Sequence, residues 1–515
     1  LLAIAPNHPA LLVRRGVLAR QKGALDDALE LLRRAHAAAP NDGEILSNLA
    51  NVEADLGLDE AAAVTHDRAW RLAPSHGGVR LNAAGHMARL AGWAPRALDL
   101  VADESGDVAA LIRAEAWATS GDLAAAIAWA KEALSRRPRD LALLHRLGAW
   151  HYRQGAFAAA RAAFAAALEQ NPDDARAATN LGLLDRNNPA AASWHLRALA
   201  IEPRLIEARF NLAHHNLLHG RWREGWRLYA DRLRLPGARP PPVSGPEWDG
   251  RPLNQDESLT IWAEQGMGDV IAMLRLLPEV LDRARQVRLD LHPPLRRLVA
   301  RSFPAVTVLD DHEAVSLTGW HCPIASLPAI LATEAGGAIG YLRGASQRPP
   351  RVDSRPARVG LCWAGNPLAP HNHLRSVPLS ALAPLRDLAG VSFHALQLGP
   401  GRRELATATG RAPIIDHADA LSDLADTADV IAGLDLVISV DTVVLNLAGA
   451  MGVPAWGLLH PLPDFRWGVA GDQGPWYPNV RLFRRARDAD GDPEPVAPVI
   501  ARLTAALADW IVAAS

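Results

Sequence analysis

Two short segments carry residue types that could do chemistry together. Glu264-Gln265-Gly266-Met267-Gly268-Asp269 and Ser439-Val440-Asp441-Thr442 each stand where an apolar strand pattern gives way to a helical one. Glycine lets a backbone approach a ligand closely, and the helix start behind it offers unpaired N–H groups and a positive dipole end. Asp269 has two readings at such a place. It caps first-turn N–H groups, or it is a general base that takes a proton from a hydroxyl. Glu264 and His321 are weaker rivals for the second role. Asp441 is likewise a cap or part of an anion cradle, in which Thr442 supplies a hydroxyl and the next helix its amides. Arg375 beside Ser376 is either a surface ion pair or the cation of that cradle, since a guanidinium can hold phosphate through two parallel hydrogen bonds.

Lysine occurs only at Lys22 and Lys131, so a catalytic lysine in the second half is excluded. Phosphate there must meet Arg, His, hydroxyls or backbone N–H groups. His371 and His373 stand two apart in a loop without an evident third and fourth ligand, which argues against a metal site. Asp488-Ala489-Asp490-Gly491-Asp492 lacks the rest of a calcium loop and reads as a solvated turn.

The elements that must position these groups follow from periodicity. Leu259–Ala263, Val287–Leu291 and Val306–Leu309 read as strands, with a helix over Val270–Leu281. Further on, Arg358–Trp363, Val391–Gln397, Leu436–Val440 and Pro454–Leu459 read as strands, and Ala420–Leu434 and Val443–Met451 as helices. Alternation of this kind implies doubly wound parallel sheets, which bind ligands beyond the carboxyl ends of their strands.

The chain before Pro236 has a different period. Pro40 to Pro74 and Pro138 to Pro172 each step by 34 residues, as do Gly23 to Gly57 and Gly121 to Gly155. A period of about 34 with small residues at fixed offsets is the tetratricopeptide pattern. Residues 141–174 fit it best, through Leu147, Gly148, Gly155, Ala160, Phe164, Ala167 and Pro172. Other units read at 9–42, 43–76, 77–105, 107–140, 175–205 and 206–237. Such a solenoid is expected to hold a peptide in a groove, with a scaffold or dimer interface as the plainer reading. Trp70, Trp93, Trp117, Trp129 and Trp150 serve either the groove or hairpin packing. Pro236 to Pro242 then forms a stiff connector, and Trp248 is expected to anchor it.

The totals set outer bounds. At 515 residues about three compact units are expected. With 54 basic and 56 acidic residues, no nucleic-acid role is suggested. Two cysteines, Cys322 and Cys362, make no disulfide framework, so a reducing, cytoplasmic setting is expected. No apolar run reaches the roughly 18 residues of a membrane span, and no signal peptide opens the chain. Leu1 stands where Met would, and Leu1–Pro6 resembles the tail of a further repeat, as in a trimmed chain.

Taken in order, the two segments above, Trp363-Ala364-Gly365-Asn366-Pro367 with Arg375-Ser376, Leu447-Ala448-Gly449-Ala450, Asp464-Phe465-Arg466-Trp467 and Pro475-Trp476-Tyr477-Pro478 resemble bacterial tetratricopeptide-repeat glycosyltransferases. Their catalytic half is similar to heptosyltransferases and, more distantly, to O-GlcNAc transferase. The resemblance implies an all-α solenoid followed by an α/β GT-B fold of two Rossmann-like halves. It divides the chain into a solenoid at 1–237, a linker at 238–257, an acceptor-side half at 258–350 and a donor-nucleotide half at 351–515. It implies an inverting, metal-independent enzyme without a resident cofactor. The donor would be a CMP-, UDP- or ADP-linked sugar and the acceptor a protein Ser or Thr, with flagellin and a nonulosonic acid as one pair. Asp269 corresponds to the family's acceptor-side acid and Asp441–Thr442 to its donor-phosphate helix. A histidine is common where this chain has Asn446. Further substrate contacts implied are Glu264, Gln265, Gly266, Gly268, Asn366, Arg375, Ser376, Gln397, Asp464 and Arg466, with Trp467 beside them. Two other functions fit the same residues: a repeat-based binding protein or chaperone with a degenerate nucleotide domain, and a lipopolysaccharide glycosyltransferase.

Overall fold

The structure is a computed structural model, and it describes residues 7–235, 238–310, 318–333, 339–345, 356–367, 372–408 and 412–513. The expectations placed on Leu1–Pro6, Pro236–Gly237 and His371 lie outside these residues. The chain forms two compact units, Leu1–Gln154 and Gly155–Ser515, where length alone suggests three.

The first unit is all helical. Antiparallel pairs run Pro9–Gln21 with Leu25–Ala38, Gly43–Asp55 with Asp59–Leu72, Gly77–Met87 with Ala94–Leu100, and Asp107–Thr119 with Leu123–Arg136. Small residues set the approach: a Cβ on Gly16 would come 2.8 Å from Leu32 Cγ. Gly23, Gly57 and Gly121 take positive φ at the turns, a backbone conformation that costs glycine little. Asp42 and Asp122 cap the helices that follow them. Of the tryptophans before residue 151, Trp150 is fully buried and the others keep partial exposure.

The second unit opens with helices Phe157–Gln170, Ala175–Leu184, Ala192–Ile201, Ile206–Leu218 and Trp222–Tyr229. Two parallel sheets follow. Strands β1 (Ser258–Trp262), β2 (Gln286–Asp290), β3 (Thr307–Val308) and β4 (Trp320–Pro323) form the first, in the order β3-β2-β1-β4. Strands β5 (Ala357–Cys362), β6 (Val391–Ala395), β7 (Ile414–Asp416), β8 (Leu436–Val440), β9 (Ala455–Leu459) and β10 (Val480–Arg484) form the second, in the order β10-β9-β8-β5-β6-β7. Leu259 pairs with Val287 and Trp320, and Val359 with Phe393 and Leu436. β8 and β9 are buried along their whole length, as strands covered on both faces must be. In each sheet the first strand lies centrally and the chain reverses direction beside it, between β1 and β4 and between β5 and β8. Those are the switch points at which doubly wound sheets leave a crevice.

Several elements differ from the sequence reading. The helix expected over Val270–Leu281 is two helices, Met267–Leu274 and Leu277–Leu281. Pro278 cannot continue the first ladder but suits the first turn of the second. The helix expected over Ala420–Leu434 begins at Leu424, where the Asp423 carboxylate accepts from Ala425 N and Asp426 N. His321, expected near a loop, lies within β4 and is 8% exposed. β4, β7, β10 and the last helix, Ala497–Ala513, were not anticipated.

Helices give way to sheet between Arg234 and Ser258, but compactness divides the chain earlier because the late hairpins pack on the sheets. Asn187 Nδ2 donates to Pro461 O at 2.7 Å, and Arg487 donates to Leu184 O at 2.9 Å. The Asp488–Asp492 loop is exposed over Asp488–Asp490, as a solvated turn should be, and its end adds an anchor, since Asp492 Oδ1 accepts from Ala158 N at 2.8 Å. The connector is also engaged. Ser244 and Glu247 bridge to Thr318 and His321, and Trp248 is 1% exposed, its backbone N–H donating to His321 O and its indole to Arg251 O.

A candidate site between the two sheets

The segment after β1 meets the segment after β9. Asp269, in the first turn of Met267–Leu274, accepts from Arg466 Nη1 at 2.6 Å. Arg466 Nε also lies 2.9 Å from Asp464 Oδ1. Burial alone would lower the Arg466 pKa, but Asp269, Asp464 and Asp441 around it reverse that and raise it. Asp441 is 8% exposed, and burial pushes its carboxyl pKa up against the pull of Arg466. One guanidinium therefore sits among three carboxylates drawn from both sheets. Asp269 and Asp464 keep about a quarter of their side chains open to solvent, at 24% each.

On the second sheet, Thr442 and not Asp441 is the N-cap of Val443–Met451, so the capping reading of Asp441 fails. The Thr442 hydroxyl is turned toward Ser439 Oγ at 3.0 Å and Cys362 Sγ at 3.7 Å. No side chain among the described residues caps this helix start, whose Thr442 and Val443 are part-exposed. Arg375 donates to Asp441 O at 3.3 Å, which places its guanidinium beside the same helix start. Ser376 braces the neighbouring loop, accepting from Gly365 N and donating to Asn372 Oδ1. Asn366 is exposed on that loop. Among the described residues no cluster of three His, Cys, Asp or Glu could hold a metal ion.

The halves touch at Gly268. A Cβ there would stand 3.1 Å from Asn446 Nδ2. That amide donates to Thr442 O at 3.0 Å, while Asn446 Oδ1 is buried without a partner. Gly266 is exposed, and Gln265 O accepts from His292 Nε2 at 2.6 Å.

Three expected participants are placed elsewhere or occupied. The Glu264 carboxylate is closed off: it takes Arg232 at 2.7 Å, Ile324 N at 3.1 Å and Ala325 N at 3.2 Å, with both ion-pair side chains at most 2% exposed. Burial with both oxygens engaged makes it a brace rather than a base. Gln397, 3% exposed, spends its amide on Trp363 N, Ala364 N, Ala364 O and Leu398 O. His321 is packed in β4.

Sequence reasoning missed the contribution of the last helical hairpin. Arg232 comes from its terminal turn, Ala230–Arg234. His214, Trp226 and Tyr229 pack on Phe465, with ring centroids 5.9, 5.4 and 6.2 Å away. The density of Trp and Tyr in Trp222–Tyr229 was the available signal, because rings at that spacing seek a second apolar surface.

Comparison with known proteins bears on the helical region most directly. The tetratricopeptide-repeat family pattern matches residues 118–182, and the N-terminal region is a tetratricopeptide-repeat solenoid. The chain is similar to Protein FlbA of Caulobacter vibrioides, at 28% identity over 395 residues, covering 68% of this chain and 65% of FlbA. It thus spans just under two thirds of that relative. Among solved structures it is similar to a tetratricopeptide repeat protein of Parabacteroides merdae (21% identity, 40% of this chain, 84% of that one, TM-score 0.36). It is also similar to YrrB, described as a TPR protein with an unusual peptide-binding site (19% identity, 34% of this chain, 95% of that one, TM-score 0.24). No described helix is long and apolar enough to cross a membrane.

Proposed function

We propose that this protein is a glycosyltransferase of the GT-B type that moves a sugar from a nucleotide donor to a Ser or Thr of a protein held by its repeats. The observation that carries this reading is the 2.6 Å bond between Asp269 and Arg466. It brings the acid after β1 into one cluster with Asp464 and Asp441, beside an uncapped helix start. Asp269 receives the acceptor hydroxyl. The amides at Val443, the Thr442 hydroxyl and Arg375 receive the departing phosphate, so that charge developing on the leaving group is met by fixed donors. Asn366 and Gly266 line the approach. The mechanism is inverting and uses no metal. Flagellin as acceptor and a nonulosonic acid as sugar are the specific pair we propose, in a cytoplasmic setting.

The test has two parts. Thermal unfolding of the full chain is followed with CMP, UDP, ADP and GDP in turn, and one of them is expected to raise the midpoint. Asp269→Asn is expected to keep that shift yet cut transfer to acceptor at least ~100-fold, read as intact mass of a co-expressed flagellin. Silence toward all four nucleotides would favour the second reading, a repeat-based binding protein with an inactive sheet domain. That reading draws on the ion pairing of Asp269 and on the buried, engaged side chains of Glu264 and Gln397.

A further inference from the structure

We infer that His214, from the last repeat hairpin, is the proton acceptor of the cleft and that Asp269 orients the hydroxyl for it. This rests on the transferase reading above. His214 Nδ1 lies 3.1 Å from Phe210 O, and a carbonyl can only accept, so Nδ1 carries the proton. Nε2 is left with the lone pair, and among the described residues no partner engages it. The ring is held by Phe210 at 4.3 Å, Tyr229 at 5.3 Å and Phe465 at 5.9 Å. His215, next in the helix, and His195 against it are sealed at 1% exposure each, whereas His214 keeps partial exposure.

Position and charge agree with the role. Phe465 stands between Asp464 and Arg466, so the His214 ring borders the cluster that holds Asp269. The charged groups that reach the ring are Asp464, Asp269 and Arg186. Burial lowers the imidazole pKa, which keeps it neutral and ready at pH 7, while the two carboxylates favour the imidazolium once a proton arrives. Asp269 itself is committed to a guanidinium, with Oδ1 taken by Arg466 at 2.6 Å. In the step, the acceptor O–H bond breaks and its proton moves to Nε2. The oxygen pair forms the new bond to the anomeric carbon, and the old carbon–oxygen bond leaves its pair on the phosphate.

The test compares wild type, His214→Gln and His214→Ala as full chains. All three are expected to unfold at similar temperatures and to give the same shift with whichever of CMP, UDP, ADP or GDP stabilises the wild type. Initial rates of flagellin modification, read by intact mass in lysate that contains the donor, are expected to fall about 100-fold or more for both variants. Free imidazole is expected to restore part of the His214→Ala rate, which a packing role would not allow. Variant rates within about threefold of wild type, or a loss that imidazole leaves untouched, would overturn the inference alone. A wild type that neither binds a nucleotide nor modifies the acceptor would overturn the transferase reading along with it.

Discussion

The four strands of the first sheet and the first four of the second follow the same order and use it in opposite ways. At the first switch point, between β1 and β4, Glu264 fills the crevice, and its carboxylate is held by Arg232 and two backbone amides. At the second, between β5 and β8, Gln397 braces the loop after β5 but the helix start at Thr442 stays uncapped and part-exposed. One crevice has become a joint to the last repeat, and the other keeps the open helix start at which the proposed function puts the donor phosphate. A shared order of the first four strands thus says where a site can be, and side-chain saturation says which of the two crevices is closed to one.

The largest expected effect breaks the joint. Arg232→Ala leaves the Glu264 charge buried and unpaired, and is expected to cost about 3–5 kcal/mol in denaturant unfolding. A loss under ~1 kcal/mol would mean that the first crevice is not a structural joint. At the second crevice, Arg375→Ala is expected to leave basal stability within ~0.5 kcal/mol. It should weaken the nucleotide-induced stabilisation by about 1.5–3 kcal/mol, the range for a charged hydrogen bond. Equal effects with and without nucleotide would erase the contrast between the two crevices. The smallest effect sharpens it. The Asp441 pKa is raised in the folded state, so the native protein holds this proton more tightly than the unfolded chain does. Stability from this group is therefore present at acid pH and lost as pH rises through the raised value. Asp441→Asn is expected to stabilise the nucleotide-free protein at neutral pH, with the gain fading below the ordinary carboxylate range. A destabilised Asp441→Asn at neutral pH would contradict that sign.

Much of this architecture was legible because it is periodic. The 34-residue step marked the hairpins, and the apolar runs at Leu259, Leu436 and Ala455 marked strands buried on both faces. The Asp-Thr pair at a strand end marked a helix start. What stayed hidden depends on contacts between distant segments. Glu264 looked like a ligand residue because sequence shows a carboxylate in a glycine-rich turn, not the arginine 32 positions away that consumes it. Gln397 misled for the same reason. His214 was invisible as a site residue, since a histidine inside a repeat helix gives no hint that its ring will rest on Phe465. β4 was missed because Trp320–Pro323 is four residues long and ends in proline.

A Cβ on Gly268 would stand 3.1 Å from the Asn446 amide, tighter than ordinary contact, so the amide must give by a few tenths of an ångström. That amide also holds Thr442 O. Bulk at Gly268, on the first sheet's helix, is therefore felt first at the helix start of the second, and a graded series of alanine, serine and valine would load that contact by steps.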